Sequence, residues 1–380
     1  MKFLFAGDFY PNTENAKALI KEGKYDHIVK EVTPFIQSAD FSLVNFESPI
    51  ADSNCLKPFI QKGPKNLCSD KKAIECVKYA GFSMIALANN HFHDFGDEGV
   101  SQTIEACRII GMPFCGAGLD KAHAQQPVIY DSSDRKIGVI NFCENEFSVA
   151  TETSAGANPF DLVGIVHQIA DLRAKTDYII VFVHGGVEHY QLPTPMMQKT
   201  YRFLIEMGAD MVVNSHQHCY SGYEMYRGRP IVYGLGNFFF DNNAVTATKW
   251  NEGYMALIEE EGGAYSIKTL PYLQGMSSAT ITMLSDTMIF EDKIAALNGI
   301  IQDSEVLGKK FENFVLNNKR TLLSIFEPYQ SRLALRLYRM GLLPSLLSKK
   351  KQVLILNRLR CESHRLVSSK LFSQSLGLPF

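Results

Sequence analysis

The chain has 380 residues, 46% of them hydrophobic and 21% charged, with a formal net charge of −2. That length suits one large α/β domain with additions, or two or three domains, in ordinary globular proportions, and the near balance of charge excludes a global attraction to nucleic acid. The eight cysteines (Cys55, Cys68, Cys76, Cys107, Cys115, Cys143, Cys219 and Cys361) include no C-x-x-C pair and no zinc-ribbon or disulfide spacing, so reduced thiols in a cytosolic protein are expected.

Met1 leads directly into a short apolar strand, KFLFAGD (2–8), which turns polar too early for a signal-peptide core. Apolar residues at helical spacing follow over 25–39, interrupted at Pro34. FSLVNFES (41–48) is a second strand with a polar end, and 70–81 is a helix between an Asp cap and a Gly stop. A third strand, FSMIALANNH (82–91), runs into polar residues ahead of a helix at 99–111. Further strands are expected at 134–145, 177–186 and 209–218, separated by helices at 161–175 and 194–208. This alternation predicts an α/β core with a largely parallel sheet. Two hairpin-like stretches, 222–236 and 253–270, would complete it with antiparallel strands.

From residue 288 the pattern is helical. The chain accordingly divides into a domain over 1–275 and a helical extension over 276–380. The tail from 330 holds many Lys and Arg but one acid, Glu362. It reads either as a solvated helical cap or as a peripheral surface for an anionic membrane or a partner at the inner face of the envelope. No apolar run reaches the length of a membrane span, so a cytoplasmic location is expected.

Polar residues gather at the C-terminal ends of the predicted strands, where open α/β sheets bind ligands. These are Asp8; Asn45 and Glu47; Asn89, Asn90, His91, His93 and Asp94; His184, Glu188 and His189; and His216 with His218. Each alone has an ordinary reading, a Gly-Asp turn or a loop cap. Together, acid, acid, amide and imidazole at five strand ends point to a shared metal site. Mixed ligands of this kind suit Zn, Mn, Fe(II) or Co. They are too many for one ion, and two divalent ions can clamp an oxygen and activate a water.

The stretches GDF (7–9), NFESPI (45–50), LANNHFHDFGDEG (87–99), HGGVEHY (184–190) and 208–241 resemble, in order, the motifs of the CapA-type capsule and poly-γ-glutamate biosynthesis proteins. That bacterial family lies within the calcineurin-like metallophosphoesterase superfamily. The resemblance covers about residues 2–275 and implies a four-layer α/β/β/α sandwich with a dimetal centre at one edge. It further implies Asp8 and His218 on a first metal, Glu47 as the bridging carboxylate, and Asn90, His184 and His216 on a second metal (Mn, Zn or Fe). His91 would protonate a leaving group or steady transition-state charge, and Asp94 would orient His91 or a nearby loop. Asn45, Glu188, Glu224 and Asn237 would line the substrate side.

The departures from the pattern are local. Asp8-Phe9-Tyr10 replaces the superfamily's Asp-x-His, and Glu47 replaces an Asp. Gly185, His189, Asn214 and Ser215 also differ from the commoner residues. The expected activity is metal-dependent hydrolysis of a phosphoester or a γ-glutamyl-type amide by a metal-activated water. An anionic polymer or a phosphoester is the expected substrate, with no nucleic-acid partner. The competing expectation is a non-catalytic, metal-stabilised component of a capsule or exopolysaccharide assembly, with contact to that machinery through the basic tail.

Overall fold

Strand β1 (Lys2–Tyr10) is buried at every position after Lys2, as a strand with both sheet faces covered must be. The structure is a computed structural model and describes residues 1–52, 56–59, 66–376 and 378. Cys55 lies outside the described residues, as do 377, 379 and 380 of the basic tail. The other seven cysteines are free thiols.

Two mixed sheets form the core. The first runs β16 (Thr280–Met283), β15 (Ala264–Gly275), β14 (Glu252–Glu261), β1, β2 (Phe41–Phe46), β3 (Met84–Ala86), β4 (Phe114–Cys115), with β13 (Asn237–Phe240) also paired to β1. The second runs β11 (Tyr223–Tyr226), β12 (Arg229–Val232), β10 (Met211–Ser215), β9 (Tyr178–His184), β7 (Arg135–Cys143), β6 (Val128–Ser132). A small pair, β5 (Ala117–Gly118) and β8 (Gly156–Ala157), lies apart. β1, β2, β3 and β4 are mutually parallel, and so are β7, β9, β10 and β12. The two expected hairpins are antiparallel, β11 with β12 and β14 with β15.

The period of two along each strand sorts side chains between layers. Phe3, Phe5, Phe41, Leu43, Ile180, Phe182, Met211 and Val213 fill the space between the sheets. Phe3 meets Tyr178 edge-on at 5.1 Å, and Phe5 stacks on Phe182 at 6.4 Å. Each such buried ring is worth about 1.5–3 kcal/mol, so β1 is firmly set against β9. Leu4, Ala6, Val44 and Ile85 point the other way, into a second core with the helices Glu14–Lys21, Lys72–Ala80 and Gly96–Ile110. Helices Leu162–Arg173 and Pro195–Glu206 cover the far face of the second sheet. The result is a four-layer α/β/β/α sandwich with helices at the C-terminus.

Local signals place the elements. Gly81 (φ +97°) and Gly111 (φ +68°) stop their helices in the left-handed conformation. Pro34 divides 25–39 into Tyr25–Val29 and Thr33–Gln37. The first compact unit is Met1–Ser304, so β16 and the helix Met288–Gln302, both beyond residue 275, belong to it. The second unit, Glu305–Phe380, is helical. Among the described residues no helix is long and apolar enough to cross a membrane.

Candidate metal centre

The inter-sheet core ends in polar groups because the inward-facing row of each strand changes character at its C-terminal end. After Phe41 and Leu43 on β2 comes Asn45; after Ile180 and Phe182 on β9 comes His184; after Met211 and Val213 on β10 comes Ser215. On β1 an irregularity between Ala6 and Asp8 delivers Asp8. Gly7 is required there: a Cβ would stand 1.7 Å from the Gly236 carbonyl oxygen, so only glycine lets β13 approach and set Asn237 beside Asp8.

Two sets of side chains converge. Glu47, His184 and His216 offer atoms within 4.8 Å of one another, and so do Asp8, Glu47 and His218, with all members buried. Glu47 belongs to both sets. His216 and His218 leave β10 in positive-φ conformations (+100° and +52°), which side-chain-bearing residues adopt at a cost and which here turn both rings inward. The His216 backbone N–H donates to Asp8 Oδ2 at 3.2 Å, and His216 Nδ1 lies 3.0 Å from His184 Nε2. His218 Nε2 is 3.6 Å from Glu47 Oε1, and its Nδ1 is 2.9 Å from Asn237 Oδ1.

Amides hold these side chains. Asn45 Nδ2 donates to Asp8 Oδ1 at 2.8 Å and lies 3.2 Å from His184 Nδ1. Asn90 Oδ1 lies 3.1 Å from His184 Nε2, and the Asn90 carbonyl accepts from Ser148. At the margin, His91 Nδ1 is 2.7 Å from Asp94 Oδ2, which also accepts from the Leu67 N–H at 2.8 Å. The His91 side chain is 20% exposed while that of Asp94 is buried.

Electrostatics set the protonation states. Burial pushes Glu47 well above the usual carboxylate range, and the Asp8 charge pushes it further. Burial lifts Asp8 to about 7 against the Asn45 hydrogen bond. Burial lowers His216 to about 3 and His218 to about 4, so both rings are neutral near pH 7, the form that ligates metal. Both Glu47 oxygens are buried with no hydrogen-bond partner among the described residues. A buried carboxyl without a hydrogen-bond partner is costly, and a divalent cation shared by the two sets would supply one. The residues present therefore fit one or two divalent ions.

The remaining site residues divide. Glu188 is exposed, and its charge acts on Glu47 and His218. Glu224, expected on the substrate side, sits elsewhere: Arg202 donates to it through Nε (2.9 Å) and Nη2 (2.6 Å), and Tyr233 Oη donates at 2.6 Å. It pairs across from Ile231, three positions before the polar end of β10, on the face covered by Pro195–Glu206. Tyr10, at the position of the superfamily imidazole, packs edge-on to Phe240 at 5.0 Å in a cluster with Leu67 and Trp250. His93 turns away to Asp97 (2.8 Å) and Phe59.

Sequence reasoning missed Trp250. Its ring lies 4.8 Å from that of His218 and 5.9 Å from that of His189, and its indole N–H donates to the Phe240 carbonyl at 2.6 Å. Its only signal was being the single Trp of the chain.

Residues 2–242 match the family described as bacterial capsule synthesis protein PGA_cap. The chain belongs to that family. The PGA_cap family is part of the metallophosphoesterase-like superfamily. Among its relatives, the capsule biosynthesis protein CapA of Bacillus anthracis is 28% identical over 235 residues, 60% of this chain and 57% of that protein. The PGA biosynthesis protein CapA of Bacillus subtilis is 26% identical over 240 residues, 62% of each chain. The chain thus spans less than two thirds of the length of either relative. A solved structure of a hypothetical protein from Thermus thermophilus aligns over 72% of this chain and 99% of its own, at 11% identity and a TM-score of 0.44.

Proposed function

We propose that this PGA_cap protein is a metal-dependent hydrolase of a phosphoester or a γ-glutamyl-type amide, acting in the making or trimming of a capsule or polyglutamate polymer. The observation that carries the reading is the shared, unpartnered Glu47 between two ligand sets, with the His91–Asp94 pair at their margin. Asp8, Glu47 and His218 would hold one divalent ion, and Glu47, His184, His216 and Asn90 the other. Ions bound there would supply polarisation of a substrate oxygen and an activated water.

The chain's own groups do the rest. Asn45 and Asn237 keep Asp8 and His218 in place by hydrogen bonds. Asp94 occupies Nδ1 of His91 and fixes the ring, so Nε2 is the nitrogen that can hold a proton for a departing group. Partial exposure of His91 leaves it reachable by substrate, whereas the buried ligands are shielded from bulk water. Trp250 and His189 wall the His218 side with aromatic surface.

The second reading is a metal-stabilised assembly component without turnover. It is favoured by Tyr10, which leaves one ligand set without the superfamily's extra imidazole. Elemental analysis of protein purified without chelator or His-tag, beside His216→Ala and His218→Ala, tests the site itself. One to two equivalents of transition metal, reduced in both variants, are expected; no uptake, even with added Mn or Zn, would sink the hydrolase. A screen of phosphoesters and γ-glutamyl peptides then separates the readings. Loss of turnover in His91→Ala with metal retained supports hydrolysis, and unchanged turnover removes His91 from it.

A further inference from the structure

The C-terminal unit carries a surface that the metal centre does not use. In the helices Lys349–Arg360 and Glu362–Leu376 no described residue is buried. Val353, Leu354, Leu359, Leu366, Leu371 and Phe372 are between 49% and 70% exposed. Soluble chains rarely leave that much apolar surface bare without an interaction to cover it, and helices of this length gain little stability on their own.

Charge indicates what covers it. Residues 330–380 hold six Arg and four Lys against the single acid Glu362. Arg332, Arg336 and Arg339 fall at i, i+4 and i+7 of the helix Arg332–Arg339, one stripe of it, with Leu333 and Leu337 off that stripe. Lys349, Lys350 and Lys351 open the next helix. The apolar run Val353–Leu356 occupies successive positions and so points to every side of its helix. Such a distribution does not fit the single groove of a protein partner. It does fit a fluid interface, where apolar side chains sink and the long stems of Lys and Arg carry their charges back to the headgroups. Helices of 12 and 15 residues reach roughly 18 and 22 Å, short of the ~30 Å hydrocarbon core, so they lie on a bilayer and do not span it.

We propose that the helices from Arg332 to Leu376 bind the surface of an anionic lipid bilayer, with lipid phosphates meeting the Lys and Arg and acyl chains meeting the exposed leucines and Phe372. The test is flotation of the full chain with vesicles of phosphatidylcholine alone, or with about 30% phosphatidylglycerol added. Binding is expected to rise at least ~10-fold with the anionic lipid and to fall in high salt. Lys349→Glu combined with Lys350→Glu and Lys351→Glu should lower it at least ~10-fold, with metal content and circular dichroism unchanged because these side chains are exposed. Leu354→Ser with Leu359→Ser should weaken binding in high salt as well, which a purely ionic contact would not do. No binding to either vesicle, or equal binding to both, overturns the proposal and leaves a protein partner as the occupant. A dimer in light scattering that Leu354→Ser dissociates also overturns it, in favour of a second copy.

Discussion

Glu47→Gln isolates the claim that this carboxyl is held in waiting for a cation. In the metal-free protein Glu47 is buried with no hydrogen-bond partner, and burial together with the Asp8 charge raises its pKa well above the usual range, which favours the protonated acid. Glutamine has nearly the same shape and no charge. An unsatisfied buried polar group costs about 1–3 kcal/mol, but it is present in both proteins and cancels. The metal-free variant should therefore match the parent within about 1 kcal/mol. With metal the two diverge. An ion at 100 times its Kd stabilises the folded chain by about 2.7 kcal/mol. Unfolding the compact unit of residues 1–304 releases roughly 0.6 kcal/mol/K, at about 2.1 cal/mol/K per residue, so the parent should gain about 4 °C. Glu47→Gln should gain almost nothing, since it weakens both ligand sets at once. Differential scanning calorimetry with and without Mn or Zn, paired with elemental analysis, reads both quantities. A variant that keeps its metal and its full thermal shift refutes the shared-ligand assignment. A metal-free variant destabilised by more than about 3 kcal/mol refutes the neutral exchange, because removing one partner of a buried ion pair costs that much.

Three other outcomes follow from the same geometry. Metal uptake should release protons below pH 7 and fewer above it: Asp8, raised to about 7, must lose its proton to bind, whereas His216 and His218, lowered to about 3 and 4, have none to lose at pH 6. Calorimetry at pH 6 in two buffers of different ionisation heat should count roughly one proton from Asp8, with the upward shift of Glu47 adding to the release; zero would contradict the burial argument. Gly7→Ala should cost on the order of 1–3 kcal/mol or more, since its Cβ meets the Gly236 backbone, and should lower metal content by shifting Asp8 and Asn237 apart; a normal Tm with full metal would contradict the close approach. Glu224→Gln should cost roughly 3 kcal/mol by leaving Arg202 without its bidentate carboxylate, yet keep full metal content; metal loss would return Glu224 to the centre.

What could be read in advance was the change of each inward-facing row from apolar to polar. It was legible because a buried parallel strand is a continuous apolar run, so Asp8, Asn45, His184 and His216 stand out where that run stops. Glu224 was misplaced for a physical reason. A buried glutamate needs a cation, and sequence does not distinguish a metal from Arg202, which lies on a helix in the preceding crossover. The junction of β1 with β13 was also hidden: it pairs Asp8 with Asn237, a parallel contact made possible by two glycines, and no local pattern encodes a pairing at that separation. Trp250 was missed because its loop carries no periodicity, and its packing on His218 depends on that same junction.

The replacement of the superfamily imidazole by Tyr10 has a measurable consequence for loading. Tyr10 is committed to the aromatic cluster with Phe240 and Trp250, and burial raises its phenol far above the neutral range, so it does not offer an anionic oxygen. Asp8 already accepts from Asn45 on one oxygen and from the His216 N–H on the other. The set of Asp8, Glu47 and His218 thus offers one imidazole, against two in Glu47, His184 and His216 with Asn90. Imidazole-rich sites bind borderline ions such as Zn more strongly than oxygen-rich ones. A Zn titration should therefore resolve two unequal steps, the tighter lost in His184→Ala or His216→Ala and the weaker in Asp8→Asn or His218→Ala. Two equal steps, or loss of the tight step in His218→Ala alone, would show that Tyr10 does not weaken its set.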